Sequence, residues 1–276
     1  MKAKTTLVIG GTGKTGRRVA QRLEQARVAV RIGSRKAAIP FDWEDRATWK
    51  AALRDVRAAY VSYQPDIAVP GALDTVSEFF RQALDAGVDK LVLLSGRGEP
   101  ECKDAEDALR ATRADWTILR SSWFNQNFSE NFFLDSILAG EVALPGTLAA
   151  EPFVDIEDIA DIAAAALTSD AHSRRLYELT GPEAITFSDA IAEIARAARR
   201  PIAFVPVSTQ DYRAELQRQQ LPSEVVELVM YLFETVLDGR NTPVMDGVMQ
   251  ALGRPPRRFA DYVQRTAASG VWGTQP

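Results

Sequence analysis

The stretch Leu7-Val8-Ile9-Gly10-Gly11-Thr12-Gly13-Lys14-Thr15-Gly16 decides the fold. An apolar run breaks into a glycine-rich turn, and Val19, Leu23 and Ala26 then recur at helical spacing. Two glycine patterns overlap here: Gly11, Gly13 and Gly16 satisfy G-x-G-x-x-G, while Gly10, Gly13 and Gly16 satisfy G-x-x-G-x-x-G. The physics is common to both. One glycine allows the tight turn, one lets the backbone approach a diphosphate, and Gly16 lets the helix pack closely on the strand. The helix start then offers free N–H groups and a partial positive charge to an anion. Gly10, Gly11, Thr12, Gly13, Lys14, Thr15 and Gly16 are therefore candidate cofactor-binding residues. Gly13-Lys14-Thr15 also matches the end of a mononucleotide P-loop, but that motif needs a glycine where Val8 stands.

Outward from this loop, short apolar runs alternate with helical periodicity, the pattern of a parallel α/β sheet. Strands are predicted over Thr5–Ile9, Val28–Ile32, Ile39–Phe41, Ala58–Ser62, Lys90–Ser95 and Trp116–Arg120, with helices over 14–26, 46–54, 73–86 and 104–113. Beyond Ser121 the pattern loosens into an aromatic and amide cluster, Trp123-Phe124-Asn125-Gln126-Asn127-Phe128, then Phe132-Phe133. A helix over 155–167 and a strand at Arg175–Leu179 follow, then a strand at Ile202–Val207. Helices are predicted at 188–199, 209–219, 223–237 and 243–252, with a last one after Pro255-Pro256. The predicted fold is α/β, a Rossmann-type doubly wound parallel sheet with a smaller, mostly helical C-terminal lobe. The division predicted is 1–170 for the dinucleotide-binding domain, with 122–150 contributing to a substrate cleft, and 171–276 for the lobe.

Composition excludes several classes. The 276 residues carry 33 Lys plus Arg against 37 Asp plus Glu, and no basic run marks a nucleic-acid surface. Cys102 is the lone cysteine and reads as inert, so no intrachain disulfide or cysteine-based zinc site forms, and no metal is expected. His172 is the lone histidine and reads as a surface residue. Met1-Lys2-Ala3-Lys4 runs straight into a strand, which leaves no room for a signal peptide, and no apolar stretch reaches membrane-spanning length. A cytoplasmic protein with no membrane partner is the expectation.

The end of the second strand distinguishes between dinucleotides. An NAD-selective site carries an acid there; this chain has Gly33-Ser34-Arg35-Lys36. Ser34, Arg35 and Lys36 suit a 2′-phosphate, since guanidinium binds phosphate oxygens bidentately. NADP(H) is favoured, with NAD(H) as the alternative. Asp42 and Trp43 are placed to border the adenine, with packing an equal alternative for Trp43.

The chain resembles the NmrA-like branch of the atypical short-chain dehydrogenase/reductases, a group that includes quinone reductases, triphenylmethane reductase and ergot-alkaloid reductases. The resemblance rests on the Gly10–Gly16 loop, Arg35, Ala86-Gly87-Val88, Trp116-Thr117-Ile118-Leu119-Arg120, Glu151-Pro152-Phe153-Val154-Asp155-Ile156-Glu157-Asp158-Ile159-Ala160 and Tyr177-Glu178-Leu179-Thr180-Gly181. It covers nearly the whole chain. It implies that Gln64, Ser95 and Ser121-Ser122 border the nicotinamide half of the cofactor, and that Trp123, Phe124, Asn127 and Phe128 line a substrate cleft.

Ordinary members of the wider superfamily use a Tyr-x-x-x-Lys pair to move a proton. Counting back from Glu106, the lysine position falls on Cys102 and the tyrosine position on Gly98, and no tyrosine lies between Tyr63 and Tyr177. The pair is absent. Tyr63, Ser95 and Lys103 remain local candidates for a catalytic donor, none singled out. Hydride transfer then suits an acceptor that is already electron-poor: a quinone, an iminium, a cationic dye or a conjugated enone. The expected function is an NAD(P)H-dependent oxidoreductase for an activated aromatic small molecule, in a secondary-metabolite setting. The alternative is a non-catalytic dinucleotide sensor that acts through a protein partner.

Overall fold

The computed structural model describes residues 5–130, 132–146 and 149–273, so Met1–Lys4, on which the leader reading rests, lie outside the described residues. Numbered along the chain, the strands are β1 Thr5–Ile9, β2 Val30–Gly33, β3 Val56–Val61, β4 Lys90–Gly96, β5 Asp115–Ser121, β6 Glu141–Pro145, β7 Arg175–Leu179 and β8 Ala203–Val207. The helices through the first half are α1 Lys14–Gln25, α2 Trp49–Leu53, α3 Ala72–Asp85, α4 Pro100–Arg110 and α5 Leu134–Ala139. They continue as α6 Ile156–Thr168, α7 Phe187–Ala198, α8 Thr209–Arg218, α9 Ser223–Tyr231, α10 Gly247–Leu252 and α11 Phe259–Ala268.

The chain forms two compact units. The first holds Met1–Ser121, Ile156–Leu179 and Asp246–Arg254; the second holds Ser122–Asp155, Thr180–Met245 and Pro255–Pro276. The linear division at residue 170 differs from this, because the chain returns to the first unit twice. It does so once for α6 and β7, which complete a sheet, and again for α10, where a Cβ on Gly247 would lie 2.3 Å from the Glu178 carbonyl oxygen.

In the first unit six strands pair in parallel in the order β2-β1-β3-β4-β5-β7, so the strand order reverses beside β1. Leu7, Val8, Ala59, Tyr60, Leu91, Val92, Ile118 and Leu119 are fully buried, as a sheet covered on both faces requires. One face packs against Trp49, Val76, Phe79, Phe80, Ala105 and Leu109 of the helices α2, α3 and α4. The other carries α1 and α6, whose contact is rimmed by ion pairs of Arg18 with Glu157 and of Arg22 with Glu157 and Asp161.

In the second unit β6 and β8 pair in parallel, and the core is aromatic: Phe128, Phe133, Phe153, Phe187 and Phe259 pack together with Trp272. The fully buried Asp155 accepts from Gln126 Nε2 at 2.6 Å and from Arg265 Nη2 at 2.7 Å.

Several predicted elements differ. Ile39–Phe41 is a loop, not a strand: Pro40 has no N–H, and the Phe41 N–H closes back on the Ser34 carbonyl at 3.0 Å while its ring stacks on Trp49. The predicted 223–237 helix becomes α9 followed by one π-helical turn, Leu232–Val236. β6 was not anticipated, since its five residues end in a proline and show little alternation. His172 is buried, not at the surface, with Nδ1 2.9 Å from the Tyr177 hydroxyl.

Candidate active site

The glycine loop is shaped as its sequence requires. Gly10 has φ +67°, a left-handed conformation that L side chains seldom adopt, and its N–H donates to the Gly33 carbonyl at 2.9 Å. A Cβ on Gly16 would sit 2.2 Å from the Gly10 carbonyl oxygen, so the first turn of α1 can lie against the loop with glycine alone. α1 begins after Gly13 with no side-chain cap and no acid in its first turn. No side chain of its own thus caps the positive end of this helix, the end that favours an anion.

Beside this loop lies a cavity of about 560 Å³, bounded by the carboxyl ends of β1, β2 and β3. The strand order reverses here, which is where open α/β sheets bind ligands. Of the predicted cofactor residues, Gly10, Thr12, Gly13, Ser34, Arg35, Lys36, Asp42, Trp43 and Gln64 line it, and Ser62, Pro65, Phe41 and Glu44 join them. Gly11, Lys14, Thr15, Gly16, Ser95 and Ser121 are not among its lining residues. Gly11 and Gly16 are packing positions: a Cβ on Gly11 would lie 2.9 Å from the Val8 carbonyl oxygen.

The rim at Ser34 is chemically open. The Ser34 hydroxyl is buried with no partner, while Arg35 and Lys36 are exposed and form no ion pair or hydrogen bond among the described residues. A buried hydroxyl without a partner is costly unless something completes it, and two uncommitted cations beside it favour an anion. Trp43 is fixed edge-on to Phe41 and Phe79, tilted against Tyr63 with centroids 4.9 Å apart, and donates its ring N–H to the Ser62 carbonyl at 3.2 Å. Tyr63 is thereby part of the wall that holds Trp43.

At the ends of β4 and β5 the side chains are closed on one another. Ser95 is buried and donates to Glu106 Oε1 at 2.7 Å; Arg120 grips the same carboxylate through Nε at 2.9 Å and Nη2 at 2.5 Å. Arg120 also faces Glu178 at 3.5 Å, which in turn holds Arg97 at 2.6 Å. The Ser121 hydroxyl donates to the Ser95 carbonyl at 3.3 Å. Lys103 points outward, exposed on α4.

Sequence reasoning missed a second cluster. Asp66, after β3, meets Glu99 and Cys102 at the head of α4, with their ligand atoms all within 4.8 Å of one another. The Glu99 carboxyl hydrogen-bonds Asp66, and burial together with the Asp66 charge pushes it up to about 8. Burial also raises Asp66. The Cys102 thiol donates to Glu99 Oε2 at 3.2 Å and accepts from the Gly96 N–H, and burial pushes it far above its ordinary range. With protons on both thiol and Glu99, the group is a poor metal site and an inert nucleophile, but it holds an acidic proton at neutral pH. The signal in the sequence was faint: an acid directly before a helix-opening proline, Glu99-Pro100, at the place vacated by the missing tyrosine and lysine.

Of the residues predicted to bind substrate, Trp123, Phe124 and Asn127 are half-exposed. Phe128 is fully buried in the core of the second unit, against Phe133 and Phe153, and packs instead of lining a surface. Its ring meets those of Phe133, Phe153, Phe187 and Phe259, so its apolar character serves the core.

A glycine cradle at the reversal of a parallel sheet defines a Rossmann-type dinucleotide-binding protein. No family model matches the chain. It is 30% identical to the uncharacterized oxidoreductase YesF of Bacillus subtilis over 97% of each chain. It is 29% identical to agroclavine dehydrogenase of Claviceps fusiformis, over 97% of this chain and 98% of that one. Among solved structures, the NADPH complex of the quinone oxidoreductase QOR2 of Escherichia coli superposes with a TM-score of 0.79, at 19% identity, covering 95% of this chain and 99% of that one. The chain belongs to the NmrA-like family of atypical short-chain dehydrogenase/reductases, which are NAD(P)H-dependent oxidoreductases. No described helix is long and apolar enough to cross a membrane.

Proposed function

We propose that this oxidoreductase uses NADPH to reduce a small, flat, electron-poor acceptor of the quinone or cationic-dye kind. The observation that carries the proposal is the cavity at the sheet reversal, where the glycine turn before the uncapped start of α1 and the open Ser34-Arg35-Lys36 rim meet in one place. In this reading the loop from Gly10 to Gly16 takes the diphosphate, Ser34, Arg35 and Lys36 take a 2′-phosphate, and Asp42 and Trp43 border the adenine. Gln64, on the far lip of the cavity, and Ser95 and Ser121, at the ends of β4 and β5, stand toward the nicotinamide half. QOR2 was solved with NADPH, which supports the choice of cofactor. The likeness to agroclavine dehydrogenase supports a role in tailoring secondary metabolites.

When bound, the nicotinamide supplies a hydride. A carbonyl acceptor that takes it is left one proton short, and Glu99 holds a proton at the carboxyl end of β4, with Asp66 as its hydrogen-bond partner. Glu99 thus replaces the absent tyrosine as the acid, and bulk water returns its proton after each turnover. A cationic acceptor needs no proton at all, so its reduction bypasses Glu99.

The test is NADPH oxidation, followed by loss of its near-ultraviolet absorbance, with quinones, iminium compounds and cationic dyes. Turnover with any of them supports the enzyme. Tight cofactor binding with silence across the panel would move the assignment to a sensor that acts through a protein partner.

A further inference from the structure

At the amino ends of β4, β5 and β7, on the opposite edge of the sheet from the cavity, buried polar groups clamp the turn from α6 into β7. Lys90 opens β4; its Nζ donates to the Ser169 carbonyl at 2.7 Å and pairs with Asp170 at 2.9 Å and Asp115 at 3.1 Å. The Thr117 hydroxyl donates to the His172 carbonyl at 2.8 Å, and the Arg174 N–H to the Trp116 carbonyl at 2.8 Å. Arg174 itself has φ +52°, a left-handed conformation that L side chains seldom adopt. The turn keeps this shape because its neighbours hold it.

Inside the clamp lies His172, the only histidine of the chain. It is buried, with Nδ1 2.9 Å from the Tyr177 hydroxyl of β7. The acids of the cluster are already engaged. Asp115 and Asp170 pair with Lys90, Arg57 of β3 also attracts Asp170, and Arg175 of β7 bears on Tyr177. Lys90 is thus the charge that bears on the imidazole, and burial together with this cation holds His172 below its ordinary range. When the ring is neutral, Nδ1 can accept the tyrosine proton; when it is protonated, both ring nitrogens are donors and a second cation stands beside Lys90. All these groups belong to the first unit.

What the turn holds is an edge strand. β7 pairs with β5 alone in the six-stranded sheet, and near its far end Glu178 grips Arg97 at 2.6 Å and faces Arg120 at 3.5 Å. We propose that His172 is an acid-sensitive latch: neutral, it fastens β7 to the sheet; protonated, it releases the strand and with it the Glu178 ion pairs. The latch works whether or not the protein is a reductase.

The test is hydrogen exchange of the full chain, followed by mass spectrometry at about pH 7.5 and about pH 5.5 and corrected for intrinsic rates. The opened state has an ordinary histidine, at about 6.5, and binds the proton more readily than the closed one. Protection is therefore complete above that value and lost as pH falls below it, by about tenfold at one unit lower. The β7 peptides of the wild type should show this fall while those of β1 and β3 hold, and His172→Asn should abolish it. Uniform loss across the sheet, no loss in β7, or an equal fall in the variant overturns the latch. A second readout needs no variant: the imidazole gives a single NMR signal, because the chain has one histidine. Its midpoint in the folded protein should lie below the ordinary 6.5. A midpoint at or above that value overturns the proposal, and this measurement decides should His172→Asn lack β7 protection at both pH values.

Discussion

Two helix starts on the same edge of one sheet make opposite use of their chemistry. α1 opens on Gly13 with no side-chain cap and no acid in its first turn; α4 opens on Glu99, whose carboxyl is engaged by Asp66 and Cys102. The first arrangement attracts an anion through the backbone and needs no side chain to do it. The second stores a proton, and needs three specific side chains brought from two loops and a helix. One site is built by leaving groups open, the other by closing them on each other.

The sharpest way to break this contrast is Gly16→Ala. The added Cβ would fall 2.2 Å from the Gly10 carbonyl oxygen, a backbone atom that cannot move without carrying the loop with it. We expect calorimetry to detect no NADPH binding at concentrations that saturate the wild type. A variant that binds normally would show that the diphosphate does not rest on these amides.

Glu99→Gln tests the other end. Loss of a general acid costs on the order of 10²-fold in kcat for 1,4-naphthoquinone, with no effect on a cationic dye, whose reduction takes up only hydride. The pH profile follows from the sign of the shift. Glu99 is raised to about 8, so the protonated form is present below that value and is lost as pH rises through it. The quinone rate of the wild type should therefore fall above about pH 8, and that limb should be missing in the variant. Equal loss with both acceptors would reduce Glu99 to a structural cap.

The two sites also differ in how far the sequence revealed them. The β1–α1 turn was readable because its function lies in the backbone, and glycine spacing is a direct record of backbone conformation. Arg35 was readable for a related reason: it follows a strand of fixed position in the motif. The acid pair was hidden, because Asp66 and Glu99 are far apart in the chain and become neighbours only through the parallel pairing of β3 with β4. Phe128 shows the converse error. A run of aromatic residues does not say which ring faces in, and the 3₁₀ turn Asn125–Phe128 directs that one into the core. Ile39–Phe41 reads as a strand from its apolar residues, yet only Phe41 is buried, packed on Trp49 and Phe79, while Ile39 is exposed on a loop.

Arg35→Ala sharpens the comparison at the cavity rim. A guanidinium with no partner among the described residues loses no internal contact on removal, so the fold should be unaffected. Affinity for NADPH should drop about tenfold, the scale of one charge-assisted hydrogen bond, while NADH binding stays within two-fold. Parallel losses for the two nucleotides would place Arg35 against the diphosphate instead of the 2′-phosphate.

The smallest effect on turnover is expected at Ser95, although it occupies the end of β4. Its hydroxyl is already engaged by the fully buried Glu106, and that carboxylate keeps both Arg120 contacts when the hydroxyl is removed. Ser95→Ala should lower stability by about 1 kcal/mol, measured by urea denaturation, and leave kcat for both acceptors as it was. The distinction matters because Ser95 and Glu99 are four residues apart on the same strand-to-helix connection. If kcat falls while stability holds, the hydroxyl leaves Glu106 during the reaction and the closed network at β4 and β5 opens to work; if stability alone falls, the hydroxyl takes no part in proton transfer and the network only holds the strand ends in place.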